Sequence, residues 1–169
     1  MFISLKELKR DEVEFSTTYD PGVLDFRGAE VEQLSALFFA GSAELVGGEI
    51  RIRGRLEGAV RHGCDRCLDP VDISVGKDLD LFYRPRRTIA REEEVEISKG
   101  ESEVSFFTGD GIELKDLVSE QVILSVPMKA VCRPECKGLC PTCGANRNVT
   151  NCGCKGPERE SPFADLKKH

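Results

Sequence analysis

Cys64 and Cys67 form an isolated Cys-Asp-Arg-Cys step, and six more cysteines, Cys132, Cys136, Cys140, Cys143, Cys152 and Cys154, crowd toward the C-terminal end of this 169-residue chain. Thiolates spaced this closely can surround a tetrahedral ion, so the chemistry they point to is zinc binding. Cys140-Pro-Thr-Cys143-Gly144 is the strongest single signal. Its proline presets a turn, and its glycine lets backbone N–H groups close on a thiolate without a Cβ in the way. Cys152-Gly-Cys154 supplies the matching pair, because the glycine between them permits a backbone tight enough for both thiolates to face one ion.

The preferred grouping is two ions, one held by Cys140, Cys143, Cys152 and Cys154, the other by Cys64, Cys67, Cys132 and Cys136, since each set then closes with nothing left over. One rival places a single zinc at the later set and leaves the other cysteines reduced. Another joins the Cys64–Cys67 pair to Cys140–Cys143. Closed four-sulfur sites leave no position for water or substrate, so they stabilise a fold and argue against a metalloenzyme.

Other catalytic readings are thin. The two histidines are His62 and the C-terminal His169. His62 could serve as a base for Cys64 or as a substitute ligand, but a solvent-facing strand position is the plainer expectation. Carboxylates are dense only where no fixed separation between them is expected, and no phosphate-cradling glycine pattern is present. Asn148-Val-Thr150 matches a glycosylation sequon and is set aside within a metal loop. No catalytic residue is assigned, and the chain is expected not to be an enzyme.

The elements that must position these cysteines are legible in part. Glu49 to Leu56 alternates strictly, with Arg51, Arg53 and Arg55 on one face and Ile50, Ile52 and Leu56 on the other, which predicts a strand. Gly47-Gly48 is a hairpin turn joining it to Ala43–Val46. A further strand is expected over Ile73–Tyr83, which puts Cys64–Pro70 at a hairpin tip. Arginines followed by glutamates over 84–103 predict a mobile acidic loop. Val104–Phe107 reads as a strand. A helix capped by Asp110, with Glu113 three residues on, should run until Pro127 stops it. Val13–Ser16 and Leu24–Phe26 look like short strands around the Asp20-Pro-Gly22 turn.

The fold class expected is therefore α+β, an antiparallel sheet packed by one main helix, with a cysteine-rich, zinc-bound C-terminal segment. Residues 1–127 form the body, and residues 128–169 form a zinc-knuckle tail docked on it.

Met1 to Lys6 leads quickly into charged residues, so no secretory leader is expected, and no apolar run reaches the ~18 residues of a membrane helix. A cytoplasmic, reducing location follows, where thiols hold metal more readily than they form disulfides. Net charge is −6, divided between −10 for residues 1–127 and +4 for the remainder. Each four-thiolate zinc site would itself carry −2 and reduce that basic surplus. The arginine face of the strand, Arg51, Arg53 and Arg55, could grip successive phosphates, although carboxylates on a neighbouring strand would more commonly pair with it. Arg66, Lys137 and Arg147 are better nucleic-acid candidates because bound zinc would hold them rigidly.

Cys64-Asp-Arg-Cys67-Leu-Asp-Pro70, the Val131 to Asn146 block, Cys152-Gly-Cys154 and Ser161-Pro-Phe-Ala-Asp-Leu166 together resemble the YceD family of large ribosomal RNA subunit accumulation proteins. The resemblance runs from about Leu45 to the C-terminus. Arg147 departs from it, standing where an aliphatic residue is expected between two asparagines. What the resemblance implies is a non-catalytic ribosome-biogenesis role in making or maintaining large-subunit (23S-type) rRNA. The partners expected are rRNA, a basic ribosomal protein or both, without membrane or small-molecule substrate. A redox-switched zinc chaperone is the alternative. A zinc-ribbon transcription regulator is weaker, because no helix carries a basic cluster for the major groove.

Overall fold

The computed structural model describes residues 1–86 and 104–155. The acidic stretch over 87–103, the Ser161–Leu166 motif and His169 lie outside these residues. Among the described residues ten elements follow one another: β1 (Phe2–Ser4), α1 (Leu5–Leu8), β2 (Val13–Tyr19), β3 (Val31–Gln33), β4 (Leu37–Val46), β5 (Glu49–Gly63), β6 (Pro70–Pro85), β7 (Val104–Phe107), β8 (Gly111–Glu113) and α2 (Leu114–Ile123). The chain divides into two compact units, one of residues 1–62 and 72–127, the other of residues 63–71 and 128–169.

The first unit is dominated by a six-stranded sheet in the order β2-β4-β5-β6-β7, with β3 also paired to β5. The Gly47-Gly48 turn, both residues at positive φ, joins β4 to β5 in the antiparallel register Val46↔Glu49 through Phe38↔Glu57. Alternation along β5 buries Ile50, Ile52, Leu56 and Val60 completely and turns the arginines outward. Cross-strand pairs Arg51–Asp80, Arg55–Asp78 and Arg61–Asp72 run in opposite order along β5 and β6, so this hairpin is antiparallel too. Phe39, fully buried, lies against Phe15 with ring centroids 4.9 Å apart.

Three expectations need correction, the first being Leu24–Phe26, which forms no strand and lies in the turns between β2 and β3. The sheet is mixed, not antiparallel, because β7 runs parallel to β6 from Phe82↔Val104 to Pro85↔Phe107. The helix begins at Leu114, with Glu113 as a cap lacking a side-chain bond, and not at Asp110. Gly111–Glu113 is instead drawn into a two-stranded sheet with Phe2–Ser4, a long-range pairing that local capping signals cannot reveal. The same pairing leads into α1, whose Ser4–Glu7 capping box went unread in the sequence. Buried Leu114, Leu117, Val118 and Val122 of α2 belong to the same apolar cluster as Ile50, Leu56 and Leu79.

Candidate metal centre

Among the described residues, the second unit has a small buried cluster. It consists of Cys64, Cys67 and Cys136, with Val71, Val131 and Leu139 packed around them. The structure brings the eight cysteines into two groups, Cys64, Cys67, Cys132 and Cys136, and Cys140, Cys143, Cys152 and Cys154, each with its sulfurs within 4.8 Å of one another. Within the first, Cys64 Sγ lies 3.9 Å from Cys136 Sγ and Cys67 Sγ lies 3.6 Å from Cys132 Sγ. These are far beyond a disulfide bond. They match the edge of a tetrahedron with metal–sulfur bonds of ~2.3 Å, which is about 3.8 Å. The donor set thus fits a tetrahedral thiophilic ion.

Two backbone turns of the same design present the first two sulfurs of each group. Leu68 N–H donates to the Cys64 carbonyl at 2.9 Å, as Gly144 N–H does to the Cys140 carbonyl at 2.9 Å. The residue after the second cysteine sits at positive φ in both, 64° for Leu68 and 74° for Gly144. Glycine adopts that conformation freely, whereas leucine does so at a cost of ~1–2 kcal/mol. The Cys64–Cys67 knuckle is therefore held by its surroundings as well as by its own residues. Asp65 exchanges two bonds with Ala130, donating N–H to its carbonyl at 2.9 Å and accepting its N–H at 2.6 Å. Leu139 N–H donates to the Arg66 carbonyl at 2.9 Å, and Cys64 N–H to the Asp69 carbonyl at 2.8 Å.

Electrostatics show why the sulfurs call for a cation. Burial pushes the Cys64 thiol up, but N–H groups of Cys132, Arg66 and Cys67 outweigh it and hold the thiol at about 6. Burial drives Cys67 well above the ordinary thiol range against the Asp69 N–H, which lowers it, and the side chains of Asp69, Cys136 and Cys64 add to the rise. In the second group, N–H groups of Cys143 and Thr142 hold Cys140 at about 6, while the sulfurs of Cys143 and Cys152 push Cys154 up to about 12. Crowded sulfurs thus resist ionising together, and a divalent cation among them removes that repulsion.

Gly138 shows how tightly the first centre is built. Its φ is +70°, and a Cβ there would come within 2.8 Å of the Arg66 carbonyl oxygen. We expect Gly138→Ala to cost at least ~1–2 kcal/mol through the backbone conformation alone. Chelator-driven metal loss should then reach its midpoint at a lower chelator concentration than in the wild type; an unchanged midpoint would refute the close approach.

The other expected site residues fall differently. Arg51 is bound by Asp80 through two bonds of 2.8 and 2.6 Å and lies 5.2 Å over the Phe82 ring. Arg53 meets Glu44 at 3.1 Å, and Arg55 meets Glu57 at 2.7 Å and Asp78 at 2.9 Å. The arginine face is thus matched by carboxylates. The Arg66 guanidinium donates to the carbonyls of Pro134 and Cys136 at 3.3 and 3.0 Å. Lys137 and Arg147 are exposed. His62 Nδ1 lies 2.7 Å from the Glu30 carbonyl oxygen and belongs to the sheet unit, not to either sulfur group.

Three residues escaped the sequence reading as parts of the site. Asp69 accepts both of its bonds to Asn146 Nδ2, at 3.0 and 3.1 Å. Asn146 Oδ1 accepts from Asn148 N–H at 3.0 Å, and Asn148 Nδ2 donates to Cys136 Sγ at 3.3 Å. Asp69 and Asn146 fall inside the family-like blocks of the sequence, but nothing there shows their contact, and Asn148 lies among asparagines that also read as turn composition.

One unit is built on a β sheet, and the other around two four-thiol groups that define a metal-competent cysteine module. Residues 52–168 match the family described as large ribosomal RNA subunit accumulation protein YceD, and the chain belongs to that family. It is 31% identical over 129 residues to the uncharacterized protein Rv2926c of Mycobacterium tuberculosis, covering 76% of this chain and 59% of the relative. It is 28% identical over 146 residues to the chloroplastic large ribosomal RNA subunit accumulation protein YCED homolog 1 of Zea mays, covering 71% of this chain and 48% of that one. The chain therefore spans between about half and three fifths of these relatives' lengths. No solved structure matches it significantly. Among the described residues, no helix is long and apolar enough to cross a membrane.

Proposed function

We propose that this protein is a non-enzymatic, cytoplasmic ribosome-biogenesis factor that supports accumulation of large-subunit (23S-type) rRNA, with zinc in both four-cysteine groups. Family membership carries the reading. The closed sulfur sets support a structural use of the metal, since four protein ligands leave no place for substrate. All-thiolate tetrahedral donors favour zinc over harder cations.

Exposed basic residues support putting the RNA-facing surface on the cysteine unit. Arginines of the sheet are matched by carboxylates, whereas Lys137 and Arg147 stand exposed on backbone fixed between the sulfur groups. Arg66 supports that backbone through its carbonyl contacts. A basic ribosomal protein is the second partner, suited to the acidic first unit.

Deleting the gene should lower the ratio of large- to small-subunit rRNA, and an unchanged ratio would sink the reading. Crosslinking with sequencing should recover large-subunit rRNA from the wild type and from the Arg51/Arg53/Arg55 triple alanine variant, but far less from a Lys137→Gln/Arg147→Gln variant. With purified RNA, that double change should reduce the salt slope of binding by about 2. An rRNA deficit without RNA crosslinks would move the contact to the ribosomal protein. The redox-switched chaperone draws on one observation, the exposure of Cys143 and Cys154. Peroxide should then release zinc and switch on client holding together; release without holding excludes it.

A further inference from the structure

The two sulfur groups are unequal. In the first group Cys64, Cys67 and Cys136 are at most 5% exposed and only Cys132 is exposed, whereas in the second only Cys140 is buried, Cys143 and Cys154 are exposed and Cys152 is half-buried. The outer group sits at the ends of one short loop, since Cys143 and Cys152 bound the residues 144–151. That loop carries Asn146 and Asn148, whose contacts point back to the inner group.

The loop is tied on both sides. Cys140 N–H donates to the Ala145 carbonyl at 2.8 Å, and Thr150 N–H to the Asn146 carbonyl at 2.9 Å. Leu139 and Asn146 form an antiparallel bridge, and Arg147 N–H donates to the Gly138 carbonyl at 2.9 Å. Asn148 is thereby aimed at two targets: its Oδ1 accepts Lys137 N–H at 2.8 Å and its Nδ2 donates to Cys136 Sγ at 3.3 Å. Asn146 holds Asp69, whose carbonyl in turn accepts the N–H of Cys64.

We infer that the Cys140/Cys143/Cys152/Cys154 centre acts as a clamp that sets metal retention at the Cys64/Cys67/Cys132/Cys136 centre, with Asn148 as the positioning residue that couples them. This rests on the metal reading but not on any RNA contact. An ion in the outer centre closes the loop ends and keeps the Asn148 amide on the Cys136 sulfur, where an N–H donor stabilises the thiolate a metal requires. When the outer centre opens, the loop regains conformational freedom and that donor is lost. By linkage, filling the inner centre favours filling of the outer one by the same factor.

The test uses the full chain loaded with cadmium-113, whose resonances report the two centres separately, under competition with a chelator. Asn148→Ala should weaken inner-centre retention about 10–100-fold, the range for loss of a partner that orients a ligand. Asn148→Asp should weaken it further, because it keeps an acceptor for Lys137 N–H while placing an anion beside the sulfur. Cys152→Ser/Cys154→Ser should reproduce the Asn148→Ala loss, and adding Asn148→Ala to it should change little. Unchanged inner-centre retention in the cysteine variant overturns the clamp. Asn148→Asp behaving like Asn148→Ala removes the amide-to-sulfur contact from it, and losses that multiply in the triple variant show that the coupling does not pass through Asn148. Should the cysteine variant bind no metal at all, the two asparagine variants decide alone: retention equal to wild type in both overturns the inference. A wild type that takes up no metal overturns the metal reading itself.

Discussion

Replacing Cys64 or Cys136 by serine is expected to abolish stoichiometric metal at the inner centre and to unfold residues 63–71 and 128–155 together. The reason is the scarcity of anything else to hold them. The buried cluster of this unit is three cysteines with Val71, Val131 and Leu139, and none of its described residues lies in a helix. A core that small cannot offset the ordering of some forty residues, whereas a structural zinc site contributes roughly 10–16 kcal/mol of apparent binding free energy at neutral pH. Hydrogen exchange read by mass spectrometry should show protection lost from the Asp65–Ala130 and Leu139–Arg66 bonds, with the Phe39 region of β4 still protected. Persistent protection of 128–155 after chelation would refute the account. Acid should lead to the same end. Cys64 and Cys140, with thiols at about 6, titrate below the ordinary value of ~8.5, so their ionised forms stabilise the folded unit at high pH. That contribution disappears as pH falls through about 6, and metal release should follow it downward, not upward, in pH.

Phe39→Ala is the second large effect and falls on the sheet unit. Phe39 is fully buried, packs on Phe15 at 4.9 Å, and places its ring edge where a Cβ on Gly54 would come within 2.9 Å. Truncating it removes a large apolar surface and leaves a cavity that the glycine-paired strands at Gly41↔Gly54 cannot fill. A loss of about 3–5 kcal/mol is expected, seen as a lower denaturant midpoint for the strand signal in circular dichroism. Metal stoichiometry should be unchanged in native buffer. A shift under 1 kcal/mol would mean the ring is not a keystone of β4 and β5.

The parts legible in the sequence are those set by neighbours in the chain. Alternation along Glu49–Leu56 follows from the two-residue period of a strand, and Gly47-Gly48 supplies the positive φ a tight hairpin needs. The spacing of Cys140–Cys143 and Cys152–Cys154 made one short loop the favoured source of four sulfurs, although joining Cys140–Cys143 to Cys64–Cys67 stood beside it until the fold brought the later four together. The arginine face could be read as a strand face, but its carboxylate partners Asp78 and Asp80 lie on another strand, so whether it meets phosphate or carboxylate was open until the register was known.

Tertiary structure alone decided what depends on distant pairing. Joining Cys64 and Cys67 to Cys132 and Cys136 bridges 65 or more residues, and the sequence left other pairings standing. The capture of Gly111–Glu113 by Phe2–Ser4 shortened the predicted helix, because strand hydrogen bonds from the other end of the unit outweighed a local cap. The parallel entry of β7 beside β6 left no mark on composition, since a four-residue strand has the same pattern in either direction. Asn148 shows the division most clearly: its residue type says only that a turn is near, and its role as donor to Cys136 exists because folding brings a loop back over a sulfur twelve positions earlier.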